Sequence, residues 1–324
     1  MITSDRKPAV PRSALLSCLA FLLAAPGWAA GQSPYSGIVA FGTSLSDPGN
    51  AFVLQGDAGT PPDFMLNPLL IPSAPYAKGG HHFSNGPTWV EQLGRSVGLG
   101  GSIHAALSTP DPEVTNFAVG AARAYNDGVN FNLTRQVDEF LLRSGGVASS
   151  QALYVIEMGS NDIRDSFQVY AGGGNGGPIL EAALTSIGAN IQRLYAAGAR
   201  NFLVWTAPNV ALTPAIRSLG PAAGGLATML TQAFNGGLSQ VMAQLAFALP
   251  GISLERLDAY ELLLEIVLDP AAFALTDVKS ACVTPGVAPF TCQDADSFLF
   301  WDGIHPTRAV HAIIANEAIA VLTP

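Results

Sequence analysis

The chain has 324 residues, ordinary for one large α/β domain and enough to bury a sizeable core. Hydrophobic residues make up 49 % and charged residues only 12 %, so surface polarity must come largely from Gly, Ser, Thr, Asn and Gln. The formal charge is −9 with no basic cluster, which argues against charge-driven binding to nucleic acid or to an anionic membrane.

Arg6, Lys7 and Arg12 precede an apolar stretch, Ala14 to Ala25, and Gly27-Trp28-Ala29 places small residues around a cleavage point before Ala30. This is the pattern of an export signal. The stretch is too short to span a bilayer, and no second one follows. The expectation is a removed segment 1–29 and a secreted or periplasmic chain 30–324 forming a single domain. It would have no transmembrane segment, with peripheral lipid contact allowed. Segment 1–29 carries three basic residues and one acidic, so its loss moves the formal charge to −11. A rival reading, lipid attachment at Cys18, lacks the apolar core that should precede that residue.

Gly37 to Phe41 is the first apolar run with strand character, and Gly42-Thr43-Ser44 follows it directly. Two hydroxyl residues at the end of a strand pose a choice between a nucleophile and a polar turn. Val53 to Gly80, with its Pro and Gly, reads as a long excursion and a candidate wall or lid of a site. The short run Val114 to Ala118, and then Ala152 to Met158, Asn201 to Thr206 and Ile252 to Leu257, read as further strands. Asn132-Leu133-Thr134 has the form of a glycosylation acceptor, although Thr134 reads equally well as a helix cap.

After the Gly-rich loop Ala171 to Gly177, Leu180, Leu184, Ile187, Ile191 and Leu194 recur at helical steps, and Gly198 is placed to close that helix. Leu226, Leu230, Phe234, Leu238, Val241 and Leu245 repeat the stripe before Pro250-Gly251, with Gly236 and Gly237 weakening it. Alternating strands and helices predict a parallel sheet covered on both faces. Once Cys18 has left, Cys282 and Cys292 remain as an even pair in an oxidising compartment. They are expected to close a short surface loop, stabilising by roughly 2.5–3 kcal/mol. Two free thiols are the alternative.

Ligands of open parallel sheets bind beyond the carboxyl ends of the strands, and Ser44, Gly120 and Asn161 each follow a predicted strand. A serine nucleophile needs a base, a group that orients the base, and donors for the oxyanion. The His residues are His81, His82, His104, His305 and His311, of which His305 stands in Phe300-Trp301-Asp302-Gly303-Ile304-His305-Pro306. Pro306 suits the first position of a helix carrying Val310, Ile313, Ile314 and Val321, and it holds His305 extended in front of that helix. Asp302, three residues earlier in a tight turn, can reach the ring nitrogen that faces away from the serine. The plainer alternative makes Asp302 a turn residue and His305 a cap. His81-His82 has no third ligand at suitable spacing, and no His-Glu-x-x-His or phosphate-cradling Gly motif occurs, so neither metal nor cofactor is expected.

These residues carry a resemblance. Phe41-Gly42-Thr43-Ser44-Leu45-Ser46-Asp47 resembles the first block of the GDSL, or SGNH, lipase and esterase family. Asn116-Phe117-Ala118-Val119-Gly120-Ala121 is similar to its second block, Gly159-Ser160-Asn161-Asp162 to its third, and Asp302 to Pro306 to its last. Phe83 to Glu91 and Leu133 to Leu141 agree with minor signatures. The matches fall in family order between residues 38 and 322, and the motifs look most like the secreted phospholipase, lecithinase and hemolysin branch.

The resemblance implies a three-layer α/β/α fold with a mostly parallel central sheet, flavodoxin-like in kind. It implies Ser44 as nucleophile, His305 as base and then acid, and Asp302 as orienter of His305. The oxyanion donors would be the N–H groups of Ser44 and Gly120 and the amide of Asn161. An acyl ester or lipid would be the substrate. One departure is Thr43, where the family usually has Asp; it leaves Thr43 a rival nucleophile, as Ser160 is on paper. An acyltransferase would use the same residues, and a non-catalytic lipid- or glycan-binding protein on this fold would be expected to have lost one of them.

Overall fold

The computed structural model describes residues 33–60, 69–283 and 292–323; the expected signal segment 1–29 lies outside them. Strands β1 (Ile38–Phe41), β2 (Leu153–Ile156), β3 (Asn201–Trp205) and β4 (Ser253–Leu257) pair in parallel in that order. Around them run helices α1 (Asn50–Gln55), α2 (Trp89–Ser96), α3 (Leu133–Arg143), α4 (Ser160–Ala171), α5 (Gly177–Ala197), α6 (Pro214–Arg217), α7 (Pro221–Ala248), α8 (Ala259–Leu268) and α9 (Arg308–Leu322).

Alternate strand residues point to opposite faces, and both faces are covered. Phe41, Tyr154, Ile156, Phe202 and Val204 join a core with α3, α4, α5 and α7. Ile38, Leu153, Val155, Leu203 and Trp205 join the opposite core with α2, α8 and α9. The result is the three-layer α/β/α arrangement.

The predicted strand Val114 to Ala118 is reduced to isolated bridges from Asn116 to Ala40 and to Ala105. The side chain of Asn116 turns back on the local backbone, accepting from Ala118 N at 3.0 Å, which competes with regular pairing. Backbone bonds still hold the segment beside β1, from Ala40 N to Thr115 O (3.0 Å) and from Phe117 N to Ala40 O (2.8 Å). β1 is therefore flanked by segments reached through connections to opposite sides, and a crevice opens at its carboxyl end.

Other local expectations are corrected. Helix α7 runs unbroken through Gly236 and Gly237; a Cβ on Gly237 would collide with Leu184 of α5, so the glycine permits close packing of the two helices. Asn132, not Thr134, is the N-cap residue of α3. Asn132 is buried, accepting from Arg123 N at 2.9 Å and donating to Asp127 Oδ1 at 2.7 Å, which leaves no room for a glycan. Pro306 precedes the cap of α9, which is Thr307, whose hydroxyl accepts from Val310 N at 3.4 Å. A two-stranded parallel sheet, β5 (Asp277–Ala281) with β6 (Phe298–Phe300), was not anticipated. Cys282 and Cys292 are disulfide-bonded beside it, with Cα atoms 5.4 Å apart. Among the described residues no helix is long and apolar enough to cross a membrane.

Candidate active site

The loop after β1 is clamped from two sides. Gly42 N donates to Gln136 Oε1 of α3 and Gly42 O accepts from Gln136 Nε2, both at 2.9 Å. Thr43 N donates to Glu157 Oε2 at 2.8 Å, and the Thr43 hydroxyl donates to the same carboxylate at 3.0 Å. A Cβ on Gly42 would meet Glu157 Oε2 and Ser46 Cβ at 2.9 Å, so only glycine fits. Within residues 41–47, Ser44 alone is not fully buried. Thr43 is buried and given over to Glu157, which removes it as a rival nucleophile.

Ser44 Oγ lies 2.9 Å from His305 Nε2, and His305 Nδ1 lies 2.8 Å from Asp302 Oδ2. The turn itself supplies part of this order: Asp302 Oδ1 accepts from Ile304 N at 2.9 Å and from His305 N at 2.8 Å. Distant segments supply the rest. Gly303 N donates to Leu70 O and Ala215 N to Gly303 O, both at 2.9 Å. Tyr76 OH donates to Asp302 Oδ2 at 2.8 Å, a partner that nothing in the sequence pattern singled out beyond its place in the Val53 to Gly80 excursion. Burial, followed by the charge of Asp302, pushes the Tyr76 pKa well above its usual value.

The Phe83 to Glu91 segment braces both halves of the site. Trp89 Nε1 donates to Ser46 Oγ at 3.0 Å, Ser84 Oγ to Pro306 O at 2.8 Å, and Arg308 N to Asn85 Oδ1 at 2.7 Å. The Phe83 ring packs on His305 with centroids 5.5 Å apart. His82, beside it, pairs with Glu91 at 2.7 Å.

Asn161 is the second residue of α4, after Ser160 and the cap residue Gly159, whose φ of 120° favours glycine. One hydrogen of its amide goes to Ala122 O at 2.8 Å, leaving the second. Ser44 N makes no hydrogen bond among the described residues. Ser160 Oγ is buried without a partner among them, so no base attends it.

Gly120 departs from the expectation. Its N–H is donated to Asp47 Oδ2 at 2.7 Å and is therefore not a free oxyanion donor. Asp47 is fully buried and draws in Gly49 N, Asn50 N and Ala51 N as well, because an ionised carboxylate out of water needs donors. Burial outweighs these bonds and raises its pKa to about 6. A Cβ on Gly120 would strike the Phe83 ring, so the glycine is needed to admit Phe83 against His305.

Glu157 was missed, although an acid inside the apolar run Val155-Ile156-Glu157-Met158 was the available signal. Burial raises its pKa to about 7, against the bonds from Thr43 and Ser46 and with a small push from Asp162. The native state then keeps this proton to about pH 7, whereas the unfolded chain releases it near 4.5. The stabilisation is full below 4.5 and is lost as pH rises through 7. Glu157→Gln cannot titrate, so the stability of the wild type relative to this variant is expected to fall by about 3 kcal/mol across that window. Urea unfolding of both proteins at pH 4.5 and pH 8 measures it; an equal difference at the two values would show that Glu157 titrates normally.

The cleft beside Ser44 has a volume of about 200 Å³ and mainly apolar walls, including Leu69, Ile71, Phe167, Val210, Ile216 and Leu219. The fold is a three-layer α/β/α sheet, and Ser44, His305 and Asp302 meet at the cleft beyond its strand ends. The chain belongs to the GDSL-like lipase/acylhydrolase family, whose sequence model matches residues 38–318.

One GDSL esterase/lipase of Arabidopsis thaliana is 25 % identical over 272 residues, covering 72 % of this chain and 77 % of the relative. Another from the same plant is 26 % identical over 328 residues, covering 89 % and 90 %. Among solved structures, an extracellular lipase from Streptomyces rimosus is similar at 15 % identity and a TM-score of 0.37, covering 89 % of this chain and 99 % of that one.

Proposed function

We propose that the protein is an exported carboxylic-ester hydrolase, residues 30–324 forming one catalytic domain, that works through an acyl-enzyme on Ser44. The observation that carries this is the 2.9 Å contact of Ser44 Oγ with His305 Nε2, backed by Asp302 at 2.8 Å and opening on an apolar cleft. With Asp302 accepting from Nδ1–H, Nε2 is the free base. His305 takes the serine proton as Oγ attacks the ester carbonyl carbon. The resulting oxyanion is received by Ser44 N–H and the second amide hydrogen of Asn161. An oxyanion near Gly120 would have to share its N–H with Asp47. His305 then protonates the departing alcohol. A water deprotonated by the same nitrogen attacks the acyl carbon, and the acid leaves with serine restored.

Apolar cleft walls suit the acyl chain, and fatty-acyl or phospholipid esters are the class that the resemblance to secreted phospholipases puts first. Acyl transfer would use the same steps with an alcohol in place of water. The expected result is cleavage of at least one member of a 4-nitrophenyl ester series from acetate to palmitate, together with a fluorophosphonate adduct on the peptide that contains Ser44. Absence of both would sink the reading.

A further inference from the structure

Helix α4 presents Asn161, Arg164 and Gln168 to the cleft that also contains Ser44 and His305. Steps of three and four residues place them on one face of the helix. Arg164 carries a permanent charge in this mostly apolar lining. Among the described residues its guanidinium makes no hydrogen bond, and its one ion contact is 3.9 Å from Asp165 Oδ1. Asp165 is already taken, by Arg123 Nε and Nη2 at 2.8 and 3.0 Å and by Tyr125 OH at 2.9 Å. Asp162, one turn back, is given to Ala124 N at 2.9 Å and Tyr125 N at 3.1 Å. The Arg164 side chain is only 25 % exposed. Burial and the like charge of Arg123 pull its pKa down. A cation so placed has carboxylates near it but none hydrogen-bonded to it among the described residues, less than partial burial of a charge ordinarily demands.

We propose that Arg164 binds an oxyanion at the far end of the substrate's acyl chain, so that the preferred ester is one whose acyl part ends in a carboxylate or comparable group. The inference rests on the hydrolase reading above. Arg164 lies three residues, about 4.5 Å along the axis, beyond Asn161, which limits the acyl chain to a short spacer between ester carbonyl and anion. The planar guanidinium, with its donors uncommitted, can take such a group in bidentate fashion.

The test compares kcat/KM for 4-nitrophenyl hexanoate with that for the mono-4-nitrophenyl ester of adipic acid, which has the same length but ends in a carboxylate. A second pair, ethyl hexanoate and 2-sulfoethyl hexanoate, carries the charge on the alcohol instead. The wild type is expected to favour the adipate ester by about 10- to 100-fold, the range of a charge-assisted contact. Arg164→Gln brings that ratio near one, and Arg164→Lys keeps part of it; a thermal melt of the same preparations reports folding. A ratio near one in the wild type, or one unchanged in Arg164→Gln, overturns the proposal. A preference that depends on Arg164 only in the sulfoethyl pair overturns the placement on the acyl part. If the wild type cleaves none of the four esters, the hydrolase reading fails and takes this inference with it.

Discussion

Ser44→Ala is expected to lower kcat for any ester the protein cleaves by roughly 10⁵–10⁶, leaving residual turnover from binding and the oxyanion donors alone. The loss should fall on kcat rather than KM, because the hydroxyl is needed for bond formation and not for seating the acyl chain. Folding should be little affected. The Ser44 side chain is partly exposed and, among the described residues, its hydroxyl is hydrogen-bonded only to His305 Nε2, whereas the loop around it is held through Gly42, Thr43 and Ser46. Steady-state kinetics beside a thermal melt separate the two effects. A variant that kept kcat within tenfold while melting normally would exclude Ser44 as nucleophile.

Asp302→Asn is expected to cost about 10⁴ in kcat with a smaller effect on stability. Asn keeps one carbonyl oxygen for Ile304 N and His305 N but puts an NH₂ where Oδ2 now accepts from His305 Nδ1 and Tyr76 OH. That NH₂ donates to Nδ1, so the ring proton moves to Nε2, and Nε2 can no longer take the proton of Ser44. Raising pH does not restore activity, because the fault lies in the tautomer and not in the charge. Proton NMR of the imidazole in both proteins reports the tautomer directly; an unchanged Nδ1–H in the variant would refute this account. Asp302→Ala should unfold more easily, since Asp302 is fully buried and its loss strands the backbone N–H groups of Ile304 and His305.

The strands β1 to β4 and the helices α5 and α7 were legible because each is long enough to show its own period, and their predicted limits differ from the observed ones by no more than a few residues. β5 and β6 were not, being short strands that pair with each other, β5 partly exposed and β6 only three residues long. Asp302 and His305 could be read together because they stand three positions apart in one turn. Tyr76 could not, since it stands 226 positions before Asp302.

The same division runs through the oxyanion donors and the nucleophile loop. The sequence identified Gly120 as a glycine after a strand-like run, but the direction of its N–H is set by Asp47, 73 residues away. Thr43 stood out as a departure, and its partner Glu157, 114 residues away, supplies a carboxylate to the same loop from the end of β2. Nothing in the sequence marks Arg164; its position follows from Arg123 and Tyr125 occupying Asp165.

The sequence by itself thus determined the layer order of the fold, the serine after the first strand, the Asp-x-x-His turn and the Asn after the Ala152 to Met158 run, because these are set by local periodicity and by groups a few bonds apart. Tertiary structure alone decided which N–H groups are already committed, which carboxylates are buried with raised pKa, and which cation in the cleft has no hydrogen-bonded carboxylate among the described residues. Those properties depend on desolvation and on competition among donors and acceptors brought together from distant parts of the chain, which no local pattern encodes.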